Sequence, residues 1–321
     1  MNENRPKPCS NMLDTIGNTP VVKLNKIVPP GHADVYVKLE YFNPTGSYKD
    51  RMAKTMIEEA EKRGALKVGM TVVEASGGST GSSLAFVCAV KGYKFRVVSS
   101  NAFASEKLKA MAAFGAELEL VHSESGKIGA DLIPNMISRA VEYGKQADVY
   151  LTDQFSNRDA LIGYEVIGQE IVQQIPQGVD AFCGAAGVAG MVMGVANVLK
   201  QVNAETKVYV LEPASSPVMS KGYAGEHHVE GIGIGFLPPF LDTQLYDEAW
   251  GVCEHAGRKM CSELAAKEGI LAGTSTGLNV VAAIELAKQL GPGKSVVTVA
   301  CDTGLKYMAG GLFNQPSEQS S

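Results

Sequence analysis

The sequence predicts an α/β protein of mostly parallel sheets flanked by helices. Three observations carry that expectation. Short β-rich runs alternate with longer stretches of helical period, the pattern of βαβ units. Glycine-bearing turns recur where a strand-like run gives way to a helical one, the place where doubly wound sheets bind ligands. The chain has 321 residues, enough for about two domains of ordinary size.

The elements follow in order. Val35-Tyr36-Val37-Lys38-Leu39 reads as a strand. Ser47 and Asp50 have the spacing of an S-x-x-D capping box and are expected to open a helix running to Lys62. On it Met52, Ala53, Met56, Ile57 and Ala60 recur at helical spacing, which marks them as core. A strand over 71–74, a glycine turn and a helix over 80–90 come next, then a strand over 95–99, a helix over 105–114 and a strand over 117–121. Pro134 interrupts the start of a helical region that runs to Tyr143. The second half keeps the same alternation, with a helix over 157–174, a strand over 180–183, a helix over 188–200 and a strand over 208–211. Helices over 255–267 and 277–290 precede a last strand over 295–300, and the tail from Gln315 is expected to fray.

Composition excludes several function classes. The net charge is −5, from 29 basic and 34 acidic residues with no basic stripe, which argues against a nucleic-acid partner. Cys9, Cys88, Cys183, Cys253, Cys261 and Cys301 are scattered without a CxxC, so reduced, mostly buried thiols of a cytosolic protein are expected. Residues 1–11 are polar and lack the apolar core of a signal peptide. Residues 181–199 carry no charge and approach spanning length, but Gly184, Gly187, Gly190 and Gly194 interrupt them. A buried strand, turn and helix are expected there rather than a membrane span. His227-His228 has no further ligands at suitable spacing and reads as a surface loop, Cys301 as a small buried thiol and Trp250 as packing.

Glycine accounts for 35 residues, about 11% against a usual share of about 7%. The excess gathers in six loops. Asn43-Pro44-Thr45-Gly46-Ser47-Tyr48-Lys49-Asp50-Arg51 sets Lys49 just inside a helix start. The dipole and N–H groups there disfavour an ammonium, and an amine of depressed pKa forms a Schiff base readily. A solvated first-turn lysine fits the same local pattern. Ser76-Gly77-Gly78-Ser79-Thr80-Gly81 offers amides and hydroxyls to an anion such as a carboxylate, or is a plain turn. Gly184-Ala185-Ala186-Gly187-Val188-Ala189-Gly190-Met191 suits a phosphate held by backbone N–H groups, or close helix–strand packing, and matches neither a Walker A loop nor GxGxxG. Gly231-Ile232-Gly233-Ile234-Gly235-Phe236 reads as a flexible wall or clasp. Gly273-Thr274-Ser275-Thr276-Gly277 and Cys301-Asp302-Thr303-Gly304 complete the set.

In this order and spacing, the loops resemble those of the cysteine synthase (O-acetylserine sulfhydrylase) family of pyridoxal-phosphate enzymes, the fold type II or tryptophan synthase β family. The likeness runs from Ile16-Gly17-Asn18-Thr19-Pro20 to Gly304-Leu305-Lys306-Tyr307. The N-P-T-G-S-x-K-D-R block, Gln154-Phe155-Ser156-Asn157 and G-I-G-x-G-F carry it. The resemblance implies two doubly wound domains, each a mostly parallel twisted sheet flanked by helices, with pyridoxal 5'-phosphate in the cleft between them. Residues 40–150 would form a smaller, mobile N-terminal domain, and 1–39 with 151–321 a larger cofactor-anchoring one.

The resemblance also implies roles. Lys49 would hold the cofactor as a Schiff base and shuttle the α-proton. Ser76, Gly77, Ser79 and Thr80 would grip the substrate carboxylate, with Gln154 and Gly231 also at the substrate. Ser79 and Gly187, Val188, Ala189, Gly190 and Met191 would contact the cofactor, the last five around its phosphate. Thr303 would face the pyridine nitrogen, where a neutral hydroxyl suits β-elimination and β-replacement. The implied reaction is β-replacement on an amino acid with a β-leaving group, such as O-acetylserine, through an aminoacrylate attacked by sulfide. Its partners would be a small-molecule amino acid and a small nucleophile, in a cytoplasmic homodimer that binds neither nucleic acid nor membrane. A dehydratase-like β-elimination and a non-catalytic regulatory relative are the alternatives.

Three stretches depart from the family pattern. The usual G-T-G-G-T phosphate cup is Gly187-Val188-Ala189-Gly190-Met191, without either hydroxyl. The usual T-S-G-N-T-G loop runs Ser76 to Gly81, with Ser79 in place of the asparagine. The usual P-S-S-G segment is Cys301-Asp302-Thr303-Gly304, which sets Asp302 beside Thr303. No regulatory extension of the cystathionine-synthase type is expected after Tyr307.

Overall fold

The computed structural model describes residues 8–124, 126 and 131–313; the tail from Gln315 lies outside them. Among the described residues ten strands run in chain order: β1 Val21–Lys23, β2 Asp34–Leu39, β3 Thr71–Ala75, β4 Lys94–Ser100, β5 Glu117–Val121, β6 Val149–Leu151, β7 Ala181–Ala185, β8 Lys207–Pro213, β9 Glu248–Val252 and β10 Ser295–Ala300. The helices are α1 Lys49–Lys62, α2 Ser79–Lys91, α3 Ser105–Ala113, α4 Leu132–Gly144, α5 Asp159–Gln174, α6 Gly190–Val202, α7 Val218–Lys221, α8 Glu254–Glu263 and α9 Thr274–Leu290. Each expected element is present within a few residues. The short strands β1, β6 and β9 are additional, and their runs are too brief or too mixed to alternate legibly.

The chain divides into two compact units. One holds the described residues up to Asn18, Asn43–Thr45 and Lys49–Thr152. Its sheet has four parallel strands in the order β5-β4-β3-β6. Adjacent side chains on a strand point to opposite faces. Val72 and Val97 accordingly pack with Ala53 and Ile57 of α1 and Leu84 of α2, while Val73 and Val98 pack with Met136 and Ala140 of α4. The sheet is thus covered on both faces. All five expected core residues of α1 are at most 1% exposed. Leu13 joins this core, and Lys54 Nζ donates to its carbonyl at 3.2 Å, so the opening turn packs with the four-stranded unit.

The other unit holds Thr19–Phe42, Gly46–Tyr48 and the described residues from Asp153 onward. Its six strands run β1-β2-β10-β7-β8-β9, with only β1 antiparallel to its neighbour. Lys38 is fully buried in it. Its ammonium donates to Thr19 O at 2.7 Å, Glu170 Oε2 at 2.6 Å and Gln174 Oε1 at 2.8 Å, which gives each of its three protons an acceptor.

Strand order locates a switch point. The chain steps from β7 through β8 to β9 at one edge, then returns to the other flank of β7 as β10. Ligands bind outside the carboxyl ends of strands at such a reversal. The β7–β10 pairing is short, Val296 with Ala181 and Val297 with Phe182. Beyond it Asn279 of α9, fully buried, bridges the parting strands: Ala185 N–H donates to its Oδ1 and its Nδ2 donates to Val299 O, each at 2.8 Å. The four-stranded unit repeats the arrangement at β3 and β6, where Thr152 Oγ1 lies 2.7 Å from Glu74 Oε2 and 3.1 Å from Val73 O.

Among the described residues no helix is long and apolar enough to cross a membrane, and 181–199 resolves into β7, a turn and most of α6. All six cysteines are unbridged, and only Cys9 and Cys253 are exposed. Asn279→Leu removes the bridge, leaving the Ala185 N–H without a partner, at a cost of about 1–3 kcal/mol, and Val299 O with only the weak Cys301 thiol contact at 3.7 Å. Urea unfolding should show an earlier transition for this variant than for Asn279→Asp, which keeps the acceptor.

Candidate active site

The switch point of the six-stranded unit carries the glycine turn after β7. Ala186 N–H donates to Leu211 O at 2.9 Å, and the chain then bends through Gly187, Val188 and Ala189 into α6. From Gly187 to Val192 the backbone N–H groups find no protein acceptor among the described residues, although all but Gly187 are buried. Buried backbone donors are otherwise almost always paired. With the positive end of the α6 dipole behind them, they form a ready anion site. Close packing holds as well. A Cβ on Gly187 would sit 2.4 Å from Gly231 O, and one on Gly190 would sit 3.1 Å from the Tyr164 ring. Ala189 lies in the left-handed region, with φ +64°.

The Gly231–Phe236 loop clasps this turn. Gly231, Gly233 and Gly235 have φ of +82°, +62° and +84°, which explains a glycine at every second position. Gly233 N–H donates to Ala186 O, and Phe240 N–H to Val188 O, both at 3.3 Å. A trans peptide points its N–H away from its C=O. Anchoring those two carbonyls on the clasp side therefore aims the N–H groups of Gly187 and Ala189 the other way.

The loop after β10 lies against residues 46–48. Tyr48 N–H donates to Cys301 O at 3.1 Å and Thr303 N–H to Gly46 O at 3.0 Å, while Gly273 N–H reaches Asp302 O at 3.1 Å. Gly46 has φ +73°, and a Cβ there would meet Thr303 Cγ2 at 2.7 Å. Thr303 is half-buried and caps the turn Gly304–Tyr307 by accepting Leu305 N–H at 3.3 Å, which leaves its hydroxyl proton available to donate. Asp302 has a partner of its own: its Oδ2 accepts the Tyr307 hydroxyl at 2.7 Å. Burial, with Asp302 close by, pushes the Tyr307 hydroxyl well above its ordinary range. Burial, then Cys301 and Asp302, does the same to Tyr48. Both hydroxyls therefore stay protonated near neutral pH. Burial holds the Cys261 thiol at about 12, and Cys301 is buried as expected.

Lys49 follows Tyr48 and is the first residue of α1, half-buried. The helix begins one residue later than the capping-box reading places it, since Ser47 as N-cap would make Tyr48 its first residue. The Asp50 carboxylate reaches back to Thr45, accepting its N–H at 2.7 Å and its hydroxyl at 2.6 Å. Thr45 Oγ1 lies 3.3 Å from Ser83 Oγ in the second turn of α2, which ties the segment before the lysine-bearing helix to α2. In that loop Ser76 Oγ accepts the N–H groups of Gly78 and Gly81 at 3.3 and 3.0 Å and keeps its own proton to donate. Ser79 opens α2, and Thr80 beside it is buried. A Cβ on Gly77 would meet the Phe103 ring at 2.3 Å. Gln154 is buried in a turn after β6 in which Ser156 and Asn157 N–H both donate to Asp153 O.

The model of the family described as "pyridoxal-phosphate dependent enzyme" matches residues 12–302. The chain belongs to that family. A cysteine synthase of Staphylococcus aureus is 41% identical over 310 residues, covering 96% of this chain and 98% of the relative. The crystal structure of O-acetyl serine sulfhydrylase isoform 3 from Entamoeba histolytica superposes with a TM-score of 0.91 at 33% identity, covering 100% of this chain and 96% of that one. An O-acetylserine dependent cystathionine β-synthase from Helicobacter pylori gives 0.88 at 32% identity, with 96% and 100% covered. The family's cofactor is pyridoxal phosphate, and the donor set suits it. A primary amine stands at a helix start, a neutral hydroxyl at Thr303, and unpartnered buried N–H groups match a phosphate dianion.

Several residues of the site were not legible beforehand. Thr45, Asn279, Phe103 and the Asp302–Tyr307 pair were not singled out as partners in the sequence. Asn279 had one signal, a lone amide within an otherwise apolar helical stretch. No group of three or more histidine, cysteine, aspartate or glutamate side chains placed to hold a metal occurs among the described residues. Two changes test the local geometry. Ala189→Gly relieves a left-handed residue and should stabilise the cofactor-free protein by about 1 kcal/mol, read as a raised melting temperature. Gly77→Ser should lower the melting temperature by colliding with Phe103, and Phe103→Ala in the same chain should recover most of the loss.

Proposed function

We infer that this enzyme makes cysteine from an O-acetylserine-like amino acid and sulfide by β-replacement. The observation that carries the reading is Lys49 at the start of α1, one residue beyond a segment hydrogen-bonded to the Thr303 loop. Similarity to cysteine synthases over nearly the whole chain supports it. When bound, pyridoxal phosphate supplies an aldehyde for the substrate amine and a ring that accepts electron density as the α-proton and the β-leaving group depart.

The chain's own residues do the rest. Lys49 Nζ is the group that holds the cofactor at rest, takes the α-proton and returns it. The Ser76 hydroxyl and Gly77 N–H, with Ser79, Thr80 and Gln154, hold the α-carboxylate, and Gly231 borders the substrate. Ser79 stands where the family has an asparagine toward the cofactor. The N–H groups of Gly187, Val188, Ala189, Gly190 and Met191 hold the phosphate, which compensates for the hydroxyls missing at Val188 and Met191. Thr303 would meet the pyridine nitrogen with its hydroxyl, while the Oδ2 of neighbouring Asp302 accepts the Tyr307 hydroxyl. In this reading the four-stranded unit is the mobile one and the six-stranded unit anchors the cofactor. Exclusion of water when the carboxylate binds favours replacement over hydrolysis. Unbridged cysteines support a cytoplasmic setting, and the protein is read as a homodimer acting on small molecules.

The purified protein should be yellow and should form cysteine when given O-acetylserine and sulfide. Lys49→Ala should lose turnover by at least about a thousandfold, as expected on removal of a residue that is both nucleophile and base, together with the visible band of the resting enzyme. Release of keto acid and ammonia without cysteine, at saturating sulfide, would replace this reading with an eliminating enzyme.

A further inference from the structure

The two adjacent histidines before the glycine clasp have different surroundings. His228 is exposed; its N–H donates to Glu254 Oε2 at 2.9 Å and its ring lies 3.8 Å from the same carboxylate. His227 is half-buried and turned toward the clasp. Its Nδ1 lies 3.3 Å from Val229 N–H and its Nε2 2.8 Å from Gly233 O. A backbone N–H can only donate and a carbonyl can only accept, so the ring is the tautomer with its proton on Nε2. Gly233 also has no room for a side chain, since a Cβ there would stand 2.5 Å from that nitrogen.

These contacts continue toward the phosphate turn. Val229 and Ile232 on either side of the clasp's first glycine are buried in the core of the six-stranded unit. Gly233, held through its carbonyl by His227, donates its own N–H to Ala186 O. That carbonyl belongs to the Ala186–Gly187 peptide, whose N–H is the first of the unpartnered donors. Gly231 O packs where a Gly187 side chain would be. The imidazole thus reaches the phosphate turn through two hydrogen bonds, and it sets the direction of a peptide it does not touch. In a cup that lacks both threonine hydroxyls of the family pattern, that direction matters more, because neither Val188 nor Met191 adds a side-chain donor to the N–H groups.

We propose that His227 is a positioning residue for the phosphate turn: its Nε2–H fixes Gly233, which fixes the Ala186–Gly187 peptide and so the grip on the cofactor's phosphate. The proposal rests on the reading of Gly187–Met191 as the phosphate site.

The experiment compares binding of pyridoxal phosphate with binding of pyridoxal, which has the same aldehyde and ring but no phosphate. Full-length protein freed of cofactor is titrated with each, for the unaltered chain, His227→Ala and His227→Gln, and the melting temperature of each protein is measured. His227→Ala should weaken pyridoxal phosphate roughly tenfold, the size of one well-made hydrogen bond, and leave pyridoxal unchanged. His227→Gln, whose amide still offers an N–H, should recover most of the loss. The phosphorus resonance of the bound cofactor should shift in His227→Ala and return toward its original position in His227→Gln. Equal weakening of both ligands, or no weakening of either, overturns the proposal. If the unaltered chain binds the two ligands alike, the phosphate reading of the turn itself has failed, and the proposal falls with it.

Discussion

Strands β7 and β10 are paired at one end and parted at the other, and Asn279 makes the parting possible. A parallel ladder that opens leaves a donor on one strand and an acceptor on the other stranded in a dry interior. An amide side chain carries one of each at the right separation, so a single residue replaces the lost ladder bonds. Once the strands diverge, the chain after β7 and the chain after β10 are free to turn in different directions. The glycine turn at 187–189 follows one strand and the Thr303 loop the other. The glycines of both loops then answer local crowding, and the row of backbone donors after β7 is a by-product of a helix that starts without a side-chain cap.

Residues 46–48 give the lysine its address. They lie beside the Thr303 loop through backbone hydrogen bonds, which require no particular side chain. Gly46 is the exception, since its left-handed conformation and the Thr303 methyl both exclude a side chain. Immediately afterwards Asp50 is held by Thr45, so the first turn of α1 is fixed from its N-terminal side. Lys49 sits between these two anchors.

Much of this was legible in the sequence for physical reasons. Met52, Ala53, Met56, Ile57 and Ala60 show helical spacing, and burial on one face is what that spacing means. Strands of five or more residues in which apolar residues run together or alternate announced themselves; three-residue β1 and β6, and β9 with its glutamate and glycine, did not. The S-x-x-D spacing correctly marked a helix start, and Asp50 also reaches back five residues, to Thr45, a contact that spacing does not announce. The neighbourhood of Asp302 could not be judged from its place beside Thr303. Tyr307 lies five residues on and returns to it only because a short helical turn intervenes. Nothing in the string of letters reveals that Ala189 is left-handed, since alanine is a poor candidate for that conformation.

The buried Lys38 ammonium has a consequence for how this chain can change over time. Its three acceptors come from residues 19, 170 and 174, far apart in sequence. Losing either charge alone strands the other in the core, whereas exchanging the pair for apolar residues of similar size can be nearly neutral. A lineage of such proteins therefore meets a valley at these positions. The first step of the exchange is harmful and only the second repairs it, so Lys38 and Glu170 are expected to persist or disappear together, whatever happens to the chemistry of the site.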